Sequence, residues 1–169
     1  TGSGKSTTLG ACINAINENE HMHIITLEDP IEYVFTSRKS VIHQREVGRH
    51  VPSFAAGLND ALRQDPDVIV VGELRGPESI RLALIAAETG HLVIATMHTN
   101  SAAKAVDRLI AAMPPEEQAI MRTLLADTLR CIVAQRLVKT KNRQGRIAAI
   151  EIMINNKAIA NMIRDGQTH

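Results

Sequence analysis

Lys5 and Ser6 end a glycine-rich opening, TGSGKSTTLG, whose residue types suit phosphate. They fill the last positions of the frame G-x-x-x-x-G-K-[ST]. Gly2 and Gly4 permit a turn whose N–H groups point inward at phosphate oxygens. The helix that follows would add its unsatisfied N-terminal amides and positive dipole end. Lys5 brings a mobile positive charge to β- and γ-phosphates, and Ser6 offers a hydroxyl to Mg²⁺. Thr1, Gly2, Ser3, Gly4, Lys5, Ser6 and Thr7 are thus the candidate nucleotide-binding run, with ATP and Mg²⁺ as the expected ligands. The first Gly of the frame and the strand that enters it are expected upstream of residue 1. A Gly/Ser-rich turn before an ordinary helix is the competing reading. It leaves the acidic and polar strand ends further along unexplained.

Those strand ends supply the other chemistry. DPDVIVVGE carries a buried-strand pattern into Glu73. A carboxylate there can accept a hydrogen bond from water and hold it in line with a γ-phosphate. Ser6 and Glu73 are the candidate metal-side residues. LEDPIEY sets Glu28, Asp29 and Glu32 together after another strand. Carboxylates this close repel one another unless cations or donors compensate. Glu28 and Glu32 are expected on the nucleotide side. HLVIATMHTN ends in Thr96, His98, Thr99 and Asn100, and His98 could contact a γ-phosphate or serve as a cap. Asp67 and His91 belong to the opposite strand ends and are expected to be structural.

Arg38, Arg45, Arg49, Arg63, Arg75 and Arg81 crowd the middle of the chain. A guanidinium arriving from a neighbouring subunit could neutralise charge during phosphoryl transfer. Cys12 and Cys131 are expected as buried small apolar residues. No His/Cys grouping has structural zinc spacing, and no G-x-S-x-G frame marks a serine hydrolase.

Composition narrows the classes. The chain has 169 residues, 44% apolar, with 19 Lys plus Arg against 18 Asp plus Glu. A net charge of +1 and 2% aromatics disfavour a nucleic-acid translocase, which needs a positive groove and stacking rings. The expectation is no nucleic-acid partner. Two cysteines are too few for a disulfide scaffold. No apolar run approaches the roughly 20 residues of a membrane span.

The elements that would position these residues alternate. A helix is expected from Lys5 to about Ile16, a strand over His23–Leu27, and an irregular stretch over 30–52 that is either a hairpin or an active-site loop. Ser53 would cap a helix that Asp65-Pro66 stops. Val68–Gly72 reads as a strand buried on both faces. A helix opening near Pro77 ends at Gly90. His91–Thr96 is a further strand, with helices at Ser101–Ala112 and Glu116–Leu129. Ile147–Met153 could be a strand and Ala158–Arg164 a short final helix. This rhythm gives an α/β fold: a RecA-like P-loop NTPase core, mostly parallel, with helices on both sheet faces, then a mainly helical C-terminal part.

Four segments in order, TGSGKST, ITLEDPIEY, DPDVIVVGELR and GHLVIATMHTNSA, resemble the Walker A, Asp box, Walker B and His box of secretion-superfamily ATPases. Within them the likeness is to PilT-like retraction ATPases of type IV pili, and it extends through HQREVG, RLALIAAETGHL, AAKAVDRLI and IAAIEIMI. The resemblance implies that Glu73 is the hydrolytic Walker B glutamate, that Glu28, Asp29 and Glu32 form the Asp box, and that His98 is the His-box histidine. It implies a RecA-like domain over 1–155, an incomplete helical segment over 156–169 and an upstream PAS-like domain. It also implies a homohexamer in the cytoplasm, peripheral to the inner membrane and acting on a pilus platform protein. AIANMIRD resembles the retraction motif AIRNLIRE, with Ala160 in place of Arg, Met162 of Leu and Asp165 of Glu. Gly76 stands where the family often has Asp. An assembly or secretion ATPase of the same superfamily is the alternative.

Overall fold

The computed structural model describes residues 2–141 and 144–167. Its chain divides into two compact units. One runs from Ser6 to Met97; the other runs from His98 onward and includes the residues up to Lys5.

The first unit is built on four short strands, β1 (His23–Glu28), β2 (Val41–Glu46), β3 (Val68–Val71) and β4 (Leu92–Ala95), with helices α1 (Lys5–Asn19), α2 (Phe54–Ala61) and α3 (Gly76–Glu88). All strands are parallel, in the order β2-β1-β3-β4. Thr26 lies opposite Gln44 on one side and Val70 on the other. Strand alternation sorts the core into two layers. Ile25, Leu27, Ile69 and Val71 pack against Phe54, Leu58 and Ala61 of α2 and Ala83 and Ala86 of α3. Ile24, Val68 and Val70 pack on the other face against Ile13 of α1. Buried on both faces, β1 and β3 read as continuous apolar runs. Helices on both faces of a mostly parallel sheet agree with the RecA-like expectation.

The 30–52 stretch is not a hairpin. It crosses to β2, which runs parallel to β1. HQRE lacks the alternating apolar pattern that announces a strand, because β2 stands at the sheet edge with partly exposed side chains. Asn17, 1% exposed, pins this crossing. Its amide donates to Thr36 O (2.9 Å) and its carbonyl accepts from Arg38 N–H (2.9 Å). Ser53 caps α2 as expected, accepting from Ala56 N–H at 3.1 Å. Asp67 is structural, accepting from His23 N–H at 2.7 Å. His91 is too, its Nδ1 lying 2.9 Å from Ala86 O.

The second unit holds α4 (Ala102–Ala111), α5 (Gln118–Thr128), β5 (Cys131–Lys139), β6 (Arg146–Ile154) and α6 (Lys157–Arg164). β5 and β6 form a two-stranded antiparallel sheet. β6 covers the expected Ile147–Met153 strand, and β5 is an addition. Asn155 ties this sheet to α5, its amide donating to Ala126 O and Leu129 O, both at 2.9 Å. Cys12 and Cys131, expected to be buried, are both exposed thiols. Each lies on a half-solvated element, where a small side chain contributes little to the core.

Candidate functional site

Thr1 lies outside the described residues. Gly2 and Gly4 both take positive φ, +80° and +82°, which turns the backbone sharply into α1. Gln135 holds this turn, its Nε2 donating to Ser3 O at 2.8 Å. A Cβ on Gly4 would sit 2.7 Å from that same Nε2. Gln135 was not a candidate in the sequence, because nothing on β5 marks it as a neighbour of the opening turn. Lys5 starts α1 and donates from Nζ to His98 Nδ1 at 3.1 Å. The ammonium has only protons to give, so this His98 nitrogen is the acceptor. Arg108 Nη1 donates to His98 O at 2.7 Å, fixing the backbone beneath the imidazole.

Ser6 and Thr7 form the first turn of α1 in the other unit. The link from Asn19 to His23 is short and Ile13 of α1 packs with Ile24 of β1, so α1 doubles back along β1 and its first turn lies toward the carboxyl end of that strand. Thr7 Oγ1 lies 3.3 Å from Tyr33 Oη, beyond the end of β1. Glu28 closes β1 on the α1 side of the sheet. Its Oε1 accepts from Thr26 Oγ1 at 2.6 Å and from Gln44 Nε2 at 2.9 Å. Gln44 also donates to Tyr33 O (2.8 Å) and accepts from Phe35 N–H (2.8 Å), so one edge-strand amide organises the whole turn.

Glu73 follows β3 at the same sheet end. Gly72 before it packs against the end of β1, where an added Cβ would come 3.1 Å from Leu27 O. Thr96 secures this peptide from β4: its hydroxyl donates to Gly72 O, and its carbonyl accepts from Leu74 N–H at 3.0 Å. The Glu73 side chain is 19% exposed and receives Arg75 Nη2 at 2.6 Å. Arg75 also approaches Asp29 at 3.9 Å. The hydrogen bond and charge of Glu73, with a smaller contribution from Asp29, push the Arg75 guanidinium above its ordinary value. It stays charged throughout the usual pH range.

The sheet end therefore collects Glu28, Asp29 and Glu73 beside the first turn of α1. The acidic residues after β1 have separate partners: Glu28 neutral donors, Asp29 the Arg75 guanidinium. Glu32 is exposed and makes none of these contacts. Among the described residues, no three His, Cys, Asp or Glu side chains are grouped to hold a metal ion. The two turned glycines and the Lys5 ammonium suit phosphate oxygens, as do, separately, the N-terminal amides and Ser6 hydroxyl that open α1.

Comparison with known proteins places this geometry. The chain matches the Type II/IV secretion system protein family over residues 1–168. It is 54% identical over 167 residues to a twitching motility protein of Neisseria gonorrhoeae, covering 99% of this chain and 45% of that protein. It is 53% identical over 165 residues to the type IV pilus retraction ATPase PilT of Pseudomonas aeruginosa, covering 98% and 48%. A crystal structure of the pilus retraction motor PilT with bound ADP superposes with a TM-score of 0.94 at 49% identity, covering 99% of this chain and 48% of that one. The chain spans about half the length of the curated relatives it matches. With four ordered motifs, a parallel sheet that gathers their acidic ends and a match across 1–168, the chain belongs to the Type II/IV secretion system protein family.

Proposed function

We propose that this chain is the nucleotide-handling part, residues 1–155 with a helical segment over 156–169, of a Mg²⁺-dependent ATPase that powers type IV pilus retraction. The observation that carries the reading is the gathering of Glu28 and Glu73 at one end of the parallel sheet, the end toward which Ser6 and Thr7 open α1. Likeness to PilT, solved with ADP, supports it.

Bound Mg²⁺–ATP would supply a γ-phosphoryl group open to attack by water. Gly2, Ser3 and Gly4 would present backbone amides to phosphate oxygens, Lys5 its charge and Ser6 a metal-facing hydroxyl. Glu73 would orient water and receive its proton. Arg75 holds the Glu73 carboxylate in one rotamer, and Thr26 and Gln44 do the same for Glu28. His98 keeps Lys5 extended until phosphate takes its place. Glu32 is exposed and is the weakest of the proposed participants.

A ring of identical subunits, cytoplasmic and resting on a membrane platform protein, completes the proposal. Among the described residues no helix is long and apolar enough to cross a membrane. ATPase measurement on the full-length protein tests the chemistry, with Glu73→Gln expected to bind nucleotide without turnover. Undiminished turnover in that variant would reject it. An assembly or secretion motor is the second reading, favoured by 46% identity over 141 residues to a type II secretion system protein E of Pectobacterium carotovorum. Loss of retraction, with fibre assembly and secretion intact, on deleting the gene separates the two.

A further inference from the structure

β2 is the outermost strand of the parallel sheet, and its free edge is unevenly guarded. Val41 and Val47 donate inward, to Met22 O and Glu28 O, both at 2.9 Å. Alternation along the strand turns the N–H groups of Ile42, Gln44 and Glu46 outward. Two of them are covered. Ile42 N–H donates to Ser37 Oγ at 3.0 Å, and Glu46 N–H donates to His50 Nδ1 at 2.9 Å. The Gln44 N–H between them has no such cover, and an open edge donor invites an acceptor.

Gln44 also lines a recess of ≈ 560 Å³, together with Ile42, His43, Arg45, His50 and Gln64. No carboxylate is among these residues. His50 uses its Nδ1 lone pair on Glu46 N–H, so its proton sits on Nε2 as a donor. Arg45 spends one nitrogen on Gln64 Oε1 (2.5 Å) and keeps the rest of its fork. Gln64 is itself fixed, its Nε2 donating to Asp60 O at 3.0 Å. His43 meets His23 Nε2 through Nδ1 at 2.9 Å, leaving its own Nε2 unengaged by that contact. Glu46, the nearest acid on the strand, is turned away and accepts from Ile31 N–H at 3.1 Å.

We infer that the outer edge of β2 carries a binding site for a small oxyanion, a carboxylate or a phosphate group. The Arg45 fork beyond its bond to Gln64, His50 Nε2–H and the amide of Gln44 belong to residues that line one recess, and none of the lining residues is a carboxylate. This site is separate from the glycine-rich turn, and nothing in it depends on ATP hydrolysis.

The test uses full-length protein labelled with ¹⁵N-histidine. Saturating ADP occupies the phosphate-binding turn. Inorganic phosphate and succinate are then titrated in separate experiments while the His43 and His50 ring resonances are followed. Saturable shifts of these rings with either anion are expected, and the tighter anion identifies the source. Arg45→Gln should weaken that binding about tenfold. Arg45→Lys, which keeps the charge without the fork, should weaken it less and carries the test if Arg45→Gln does not fold. Rings that respond to neither anion, or affinity unchanged in the folded Arg45 variants, would overturn the site.

Discussion

Arg75 Nη2 lies 2.6 Å from the Glu73 carboxylate, so the proposed water-orienting residue is ion-paired to its neighbour two positions along. Arg75 thus restrains a carboxylate of its own chain. Arg75→Gln in the full-length protein should therefore lower kcat several-fold while leaving the KM for ATP nearly unchanged. A pure surface charge would alter neither. Steady-state kinetics of the variant make the check.

The pH behaviour of this pair has a definite sign. The folded Arg75 value is raised above its ordinary one, so its stabilising contribution is complete below the ordinary value and is lost only as pH climbs through the folded one. The difference in Tm between wild type and Arg75→Gln should accordingly be constant between about pH 6 and 9, far from arginine titration. Thermal melts across that range would expose any slope. The Arg75 side chain is 61% exposed, so the constant difference should be small.

Glu73→Gln keeps size and hydrogen-bonding reach but loses the basic oxygen. Hydrolysis should fall by about two to four orders of magnitude, the usual worth of a positioned base. Nucleotide affinity should change only a few-fold, as read by fluorescent ADP titration. Loss of affinity in step with turnover would show that Glu73 serves binding instead.

Glu28 depends on two neutral donors, and one of them is buried. Thr26→Val removes the hydroxyl 2.6 Å from Glu28 Oε1 at a position that is 0% exposed. Stability should fall by about 1–2 kcal/mol, since a charged acceptor loses one donor. Urea denaturation gives that number, and kcat should fall with it if Glu28 must be held still.

Asn17 secures the crossing from β1 to β2 and touches no candidate catalytic group. Asn17→Ala leaves the Thr36 carbonyl and the Arg38 amide without their partner. It should cost about 1–3 kcal/mol in urea unfolding, the penalty for buried polar groups left unsatisfied. Equal stability would mean that water replaces the side chain.

Much of the architecture was legible from residue order. Continuous apolar runs announced β1 and β3, because a strand covered on both faces needs apolar residues at every position. Ser53 and Pro77 marked helix starts for local backbone reasons, and the glycine-rich opening marked the turn into α1. Those signals act over a few residues, so they survive without the fold. β2 and β5 did not show, since an edge strand or a half-exposed strand carries no strict apolar pattern. The exposed thiols of Cys12 and Cys131 escaped for the same reason. Tertiary structure alone decided that Arg75 answers Glu73 and Asp29, that Thr26 and Gln44 hold Glu28, that Gln135 braces Ser3, and that Glu32 points to solvent. Arg75–Asp29, Gln44–Glu28 and Gln135–Ser3 join separate segments, which only packing brings within a few ångströms; Arg75–Glu73 and Thr26–Glu28 are local pairs whose side-chain directions the surrounding fold sets.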